Sequence, residues 1–277
     1  MKVSSKILLV SIAIASLAGC QKNPYLNNDQ TNQSIGQTTE KSGGATKEDA
    51  IVIKAHGDIN SALDEFRDLL GGGQPNTAPG VVGGRREVNW DAVPANLTNN
   101  NSFPGDFFGS SDPAAANGRK RGLIMTTPSG VFSISDTSFA DINPTYHDQF
   151  KTFSPFKTFI AVGSTITDNF FKIPGTNTDA SVHGFGVVFS DVNNESSTSM
   201  EFYDGERLLG VYKVPNNGNN APGAFSFLGV FFPNDNVTRV RINSGSAPLS
   251  STQNDISDGG GKDLVIMDDF IYSEPAN

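Results

Sequence analysis

From Arg85 onward the chain alternates short apolar runs with turn residues, a period-two pattern that predicts β-strands. We read strands near 86–90, 121–126, 130–135, 156–163, 167–173, 182–190, 198–204, 207–214, 225–232, 237–243 and 263–272. In VTRVRIN, Thr238, Val240 and Ile242 face one way and Arg239 and Arg241 the other, as in a strand with one buried face. In SMEFYDGERLLGVYKVP the Asp204-Gly205 turn predicts a hairpin. One segment breaks the period. Ile59, Ala62, Leu63, Phe66, Leu69 and Leu70 recur at helical spacing after Asp58, a capping residue, and Gly71 to Gly73 close the run. The apolar face of this helix is expected to pack on the neighbouring sheet rather than to await a partner. No crossover helices separate the later strands, which argues against parallel βαβ units. The expected fold is mainly β: an antiparallel two-sheet sandwich, jelly-roll-like, with one short N-terminal helix. The long polar loops 99–120 and 244–262 are where a rigid scaffold of this kind would carry function.

The N-terminus follows a different pattern. Lys2 and Lys6 precede an apolar run, Ile7 to Leu17, that falls short of the about 20 residues needed to span a bilayer. This is the layout of a signal segment. Its end, Leu17-Ala18-Gly19-Cys20, resembles the cleavage box of bacterial lipoproteins. That resemblance implies that Cys20 becomes the mature N-terminus and carries acyl chains, so the membrane becomes a partner through a lipid anchor. Gln21 after the cysteine is similar to the outer-membrane sorting pattern of Gram-negative lipoproteins. Cys20 is the chain's sole cysteine, so it has no disulfide partner within the chain. The expected organisation is a signal segment at 1–19, a polar tether at 20–57, helix and linker at 58–84, and a β-sandwich domain at 85–277. The expected location is the bacterial cell envelope.

Composition narrows the function. The 277 residues carry a formal net charge of −9, with 18% charged residues, which argues against nucleic acid as a partner. The chain lacks HExxH, GxSxG and Walker patterns, and with a single cysteine it offers neither a thiol nucleophile in the folded part nor a zinc-thiolate site. Of His56, His147 and His183, only His147, beside Tyr146 and Asp148, sits in a polar loop; it reads as a solvated residue, and His183 as a strand-edge residue. The expectation is a protein that is not an enzyme.

The last strand, DLVIMDDFIYSEP, holds two acids within an apolar run. Strict alternation puts Leu264, Ile266, Asp268 and Phe270 on one face and Val265, Met267, Asp269 and Ile271 on the other, a central strand covered on both sides. A buried carboxylate without a partner is costly, so these acids need a hydrogen bond, a strand-end position or a cation. VIMDDFIYSEP is similar to the closing strand of calcium-stabilised jelly-roll modules, carbohydrate-binding ones among them. The resemblance implies that Asp268 and Asp269 share one calcium ion with Glu87 or Asp91 of RREVNWDAVP. Asp191 of FSDV is a further candidate. Calcium takes about six to eight oxygens, which acids of this kind supply; backbone-capping and solvent-exposed carboxylates are the competing readings. Residues 58–275 as a whole resemble an uncharacterised group of secreted bacterial proteins, some with PEP-CTERM sorting signals. The resemblance implies that a lipid on Cys20 would replace that anchor.

Aromatic side chains serve as platforms for sugars when exposed, and Trp90, Tyr146 and Tyr203 are the candidates. Most other rings fall on alternating strand positions and read as core. The basic cluster Arg119-Lys120-Arg121 reads as a solvated loop. The leading expectation is a surface-anchored binding module for an extracellular glycan or matrix ligand. The alternatives are an envelope assembly protein acting through protein contacts, and a hydrolase with an unrecognised carboxylate pair.

Overall fold

Residues 50–218 and 220–277 are described by a computed structural model. The signal segment, Cys20 and residues 20–49 of the expected tether lie outside the described residues. The strands in chain order are β1 (Ile51–His56), β2 (Arg85–Val88), β3 (Asn100–Phe103), β4 (Leu123–Thr126), β5 (Phe132–Ser135), β6 (Thr158–Ala161), β7 (Ile166–Lys172), β8 (Asp179–Ala180), β9 (Gly184–Ser190), β10 (Ser199–Asp204), β11 (Arg207–Lys213), β12 (Phe225–Phe231), β13 (Arg239–Asn243) and β14 (Ile266–Ser273). Helix α1 is Asn60–Leu69, and a single turn, α2, is Tyr146–Gln149.

The strands form two antiparallel sheets packed as a sandwich, as the alternation predicts. An eight-stranded sheet runs β1-β12-β9-β14-β6-β5-β3, with β2 also paired to β14. A six-stranded sheet runs β11-β10-β13-β7-β4, with β8 beside β7. Inward side chains of both sheets, Val187, Phe189, Met200, Phe202, Val240 and Ile242 among them, fill the space between. At one end of it the Trp90 ring stacks on Phe159, centroids 4.3 Å apart, with Phe270 edge-on at 5.1 Å.

The eight-stranded sheet is covered on its outer face as well. Helix α1 lies there, and Leu63 and Phe66 pack with Val188, Phe227 and Ile271. Gly186 and Gly229 make this approach feasible: a Cβ on either would sit 2.8 or 2.7 Å from the Phe66 ring. Strands β9 and β14 are therefore buried along both faces. The helix packs on the sheet, as expected. Beneath the chain's end, the fully buried Arg86 guanidinium meets Glu274 at 2.6 Å, tying β2 to the residue just past β14.

Three elements differ from the expectation. Residues 51–56, assigned to the tether, form edge strand β1, in register with β12 from Ile51↔Phe231 to His56↔Ser226. The run is short, and its alternation (Val52 toward the inter-sheet core, Ile53 toward the helix) is masked by its polar surroundings. The sandwich thus begins before residue 85. Loop 99–120 contains β3, and β8 is a two-residue strand.

Candidate functional site

The paired aspartates do not point to opposite faces. Met267 pairs with Phe189, while Phe270 pairs with Val187, so three steps along β14 match two along β9. This is a bulge, and it carries one extra residue. Met267 and Phe270 both enter the core. Asp268 and Asp269 turn together toward the loop above, where the Ser154 hydroxyl lies 3.0 Å from Asp268 Oδ1 and 2.8 Å from Asp269 Oδ1. The Phe153 amide donates to Asp268 Oδ2 at 2.6 Å. A hydroxyl has one hydrogen to donate, so both contacts are satisfied only when one carboxyl keeps a proton. Burial pushes both carboxyls above the usual range, and the neighbouring Asp269 charge raises Asp268 further.

The other expected calcium donors are dispersed. Glu87 is held by Arg67 at 3.0 Å and Arg85 at 2.7 Å, and these hydrogen bonds outweigh its burial and lower its carboxyl. Asp91 accepts from the backbone amides of Phe156 (2.6 Å) and Lys157 (3.2 Å). Asp191 belongs to a different cluster. The five residues therefore do not form one centre. Among the described residues, no three His, Cys, Asp or Glu side chains gather closely enough to hold a metal ion.

The cluster around Asp191 joins three acids to amides and a hydroxyl. Asp191 follows β9 with φ +72°, and its carboxyl contacts Asn193 Nδ2 (3.1 Å), the Ser257 hydroxyl (3.3 Å) and Gln149. Asp255 accepts from Ser257 and from the Leu264 amide. Asp263 accepts from the amides of Asn193 and Asn194. All three acids are fully buried, and among the described residues none has a Lys or Arg partner. Burial, and next the Asp255 charge, push Asp191 up to about 8. The buried Asn193 Oδ1 has no hydrogen-bond partner. The Asp191 and Asp255 carboxylates, the Ser257 hydroxyl and Asn193 Oδ1 are hard oxygen donors of the kind calcium takes, while Asn193 and Gln149 direct their amide nitrogens at Asp191. The Asp191 group suits that ion in chemistry, while the Glu87 and Asp91 positions do not.

Two of the three aromatic candidates are interior. Tyr146 is fully buried, its hydroxyl 2.9 Å from both the Ser250 and the Gln253 carbonyl, with one hydrogen to donate between them. Trp90 is 1% exposed and donates from Nε1 to the Asp268 carbonyl at 2.7 Å. Both were expected as ligand platforms; an indole or phenol with its polar tip satisfied inside is a core residue instead.

Tyr203 is different. It lies on the outward face of the six-stranded sheet, half-buried, with the Arg239 guanidinium 3.9 Å from its ring centroid. Its hydroxyl donates to Glu201, and this bond raises the phenol above its usual range. Arg241, two residues along β13, forks onto Asp168 of β7 at 2.9 and 2.8 Å. Leu208 and Val211 of β11 pair with Tyr203 and Glu201 and are about half exposed. Where this face meets the β10–β11 turn there is a cavity of about 500 Å³, lined by Phe170, Asp179, Gly205, Glu206, Thr238 and Arg239. The alternation in VTRVRIN already put Arg239 and Arg241 on one face. That β10 and β7 flank β13, supplying Tyr203 and Asp168, is visible only in the fold.

No family model matches the chain, and neither a curated protein nor a solved structure matches it.

Proposed function

We propose that this protein is a non-enzymatic binding module, held at the bacterial envelope by a lipid on Cys20, that takes an extracellular glycan on the outward face of its six-stranded sheet. The observation that carries this reading is the Arg239–Tyr203 stack beside the Arg241–Asp168 fork. Sugars present alternating apolar and hydroxyl surfaces, so they need an apolar plate with fixed donors and acceptors around it. Tyr203, Phe170 and Leu208 supply the plate. Arg239, Arg241, Asp168 and Glu201 supply the polar groups, each already oriented by a neighbour, which lowers the ordering cost of binding. Calcium, if bound, belongs to the Asp191 group, where it would neutralise buried carboxylates and hold loop 254–264 to the end of β9. The test is binding of the purified chain to a glycan array, with Tyr203→Ala as control. Loss of every signal in the variant supports the proposal, and absence of binding by the natural chain contradicts it. Metabolic labelling with a fatty acid, lost in Cys20→Ser, tests the anchor.

A second reading has its own observation. Strand β11 is a free edge of its sheet with Leu208 and Val211 exposed, which is the form of an edge open to another protein's strand. Retrieval of one stoichiometric envelope protein, abolished by Val211→Lys, would favour assembly over sugar binding.

A further inference from the structure

The clearest unassigned feature lies beside the end of β2. Behind Val88 and Trp90 is a cavity of about 270 Å³, walled by Phe107 and Phe108 and rimmed by Arg119 and Arg121. At about 30 Å³ each, roughly nine water-sized groups fill it. Its walls are mainly ring and methyl carbons, so water inside gains few hydrogen bonds and an apolar body displaces it favourably. Its rim is cationic. Arg67, Arg85, Arg86, Arg207, Arg239 and Arg241 each have a carboxylate within 4.0 Å. Among the described residues Arg119 and Arg121 have none. Arg119 lies 4.6 Å over the Phe107 ring and makes only a long 3.4 Å contact to the Phe107 carbonyl. Arg121 donates Nη1 to the Glu87 carbonyl at 2.6 Å and Nε to the Gly118 carbonyl at 3.3 Å. The Glu87 carboxylate, the nearest acid on the lining, is committed to Arg67 and Arg85. In a chain of net charge −9, two guanidinium groups with no acid partner among the described residues, at the mouth of an apolar cavity, are suited to an anion.

We infer that this cavity binds a small monocarboxylate with a compact apolar body, its carboxylate on Arg119 and Arg121 and its body against Trp90, Phe107 and Phe108. The guanidinium fork matches a carboxylate in shape and charge, and the cavity's size admits a body of about nine heavy atoms but not a long acyl chain. This site lies apart from the glycan face and does not depend on it.

Trp90 is the chain's sole tryptophan, so its fluorescence reports on the cavity directly. The chain from Gln21 onward is titrated with 3-phenylpropionate, with octanoate and with the neutral 3-phenylpropan-1-ol. Saturable change with at least one of the acids is expected, with the alcohol about tenfold weaker or more, as for loss of a hydrogen bond to a charged group. Arg119→Gln, at an exposed position, is expected to weaken the acid about tenfold, leave the alcohol unchanged and keep the melting temperature. No saturable change with either acid, equal affinity for acid and alcohol, or an Arg119→Gln variant that binds the acid as well as the natural chain overturns the inference.

Discussion

Arg239 lies over the Tyr203 ring, 3.9 Å from guanidinium carbon to ring centroid, on the outward face of the six-stranded sheet. A cation over an aromatic face fixes both groups without covering the ring's outer edge. The Tyr203→Ala variant should lose at least tenfold in glycan affinity, about 1.4 kcal/mol, while its melting temperature changes little, because Tyr203 is half-buried and belongs to no core cluster. Calorimetric titration paired with thermal melting checks this. Equal affinity in the variant would remove Tyr203 from the site.

Phe66 seats α1 on the glycine lane of β9 and β12. Phe66→Ala should cost about 3–5 kcal/mol in urea unfolding. Gly229→Ala places a methyl 2.7 Å from the same ring and should destabilise the natural chain. Combined with Phe66→Ala it should cost less than it does alone, since the ring it strikes is gone. Additive costs would mean that the close approach is not what requires glycine.

Glu274 meets the Arg86 guanidinium where neither side chain reaches solvent. Glu274→Gln leaves a buried cation without its counter-charge, a loss of about 3–5 kcal/mol. Urea unfolding at neutral pH checks it, and a loss under 1 kcal/mol, the size of about one surface pair, would show that the backbone carbonyls of Asn76, Ala78 and Lys120 suffice to hold Arg86.

Buried acids also set a pH dependence. Asp191 is raised to about 8, and Asp268 and Asp269 are raised by burial. In the unfolded chain these groups titrate near 4. Between about pH 4 and pH 8 the native state therefore binds more protons, and the stability they contribute falls as pH rises. The expected slope is at most about 1.4 kcal/mol per pH unit for each group. In the presence of a chelator, the melting temperature should fall from pH 5 to pH 8. Calcium taking the protons' place at the Asp191 group should raise it at pH 8, by about 5 °C or more at a hundredfold excess over the dissociation constant, and by less at pH 5, where protons compete. Asp191→Asn should abolish the calcium effect. A melting temperature that calcium leaves unchanged at pH 8 contradicts the assignment.

The two-sheet sandwich and the packed helix were legible because alternation and helical spacing are direct consequences of which face is buried. Strand β1 was missed since six residues beside a polar stretch carry too few alternations to register. The aspartate pair was legible as costly, but not in its geometry: strict alternation places Asp268 and Asp269 on opposite faces, and one extra residue opposite β9 brings them together. Trp90 and Tyr146 misled because a sequence shows a ring but not whether its polar tip is satisfied inside. On the outward face of the six-stranded sheet, Arg239 and Arg241 were assigned to a common side, whereas Asp168 lies 73 positions from its Arg241 partner and becomes a neighbour only when β7 pairs with β13.

The most direct measurement of the central claim is a glycan array probed with the natural chain beside Tyr203→Ala and Arg241→Ala. The account predicts that the natural chain binds a restricted set of sugars and that both variants lose them while remaining folded. Binding that survives both substitutions, or a natural chain that binds no sugar at all, would contradict it.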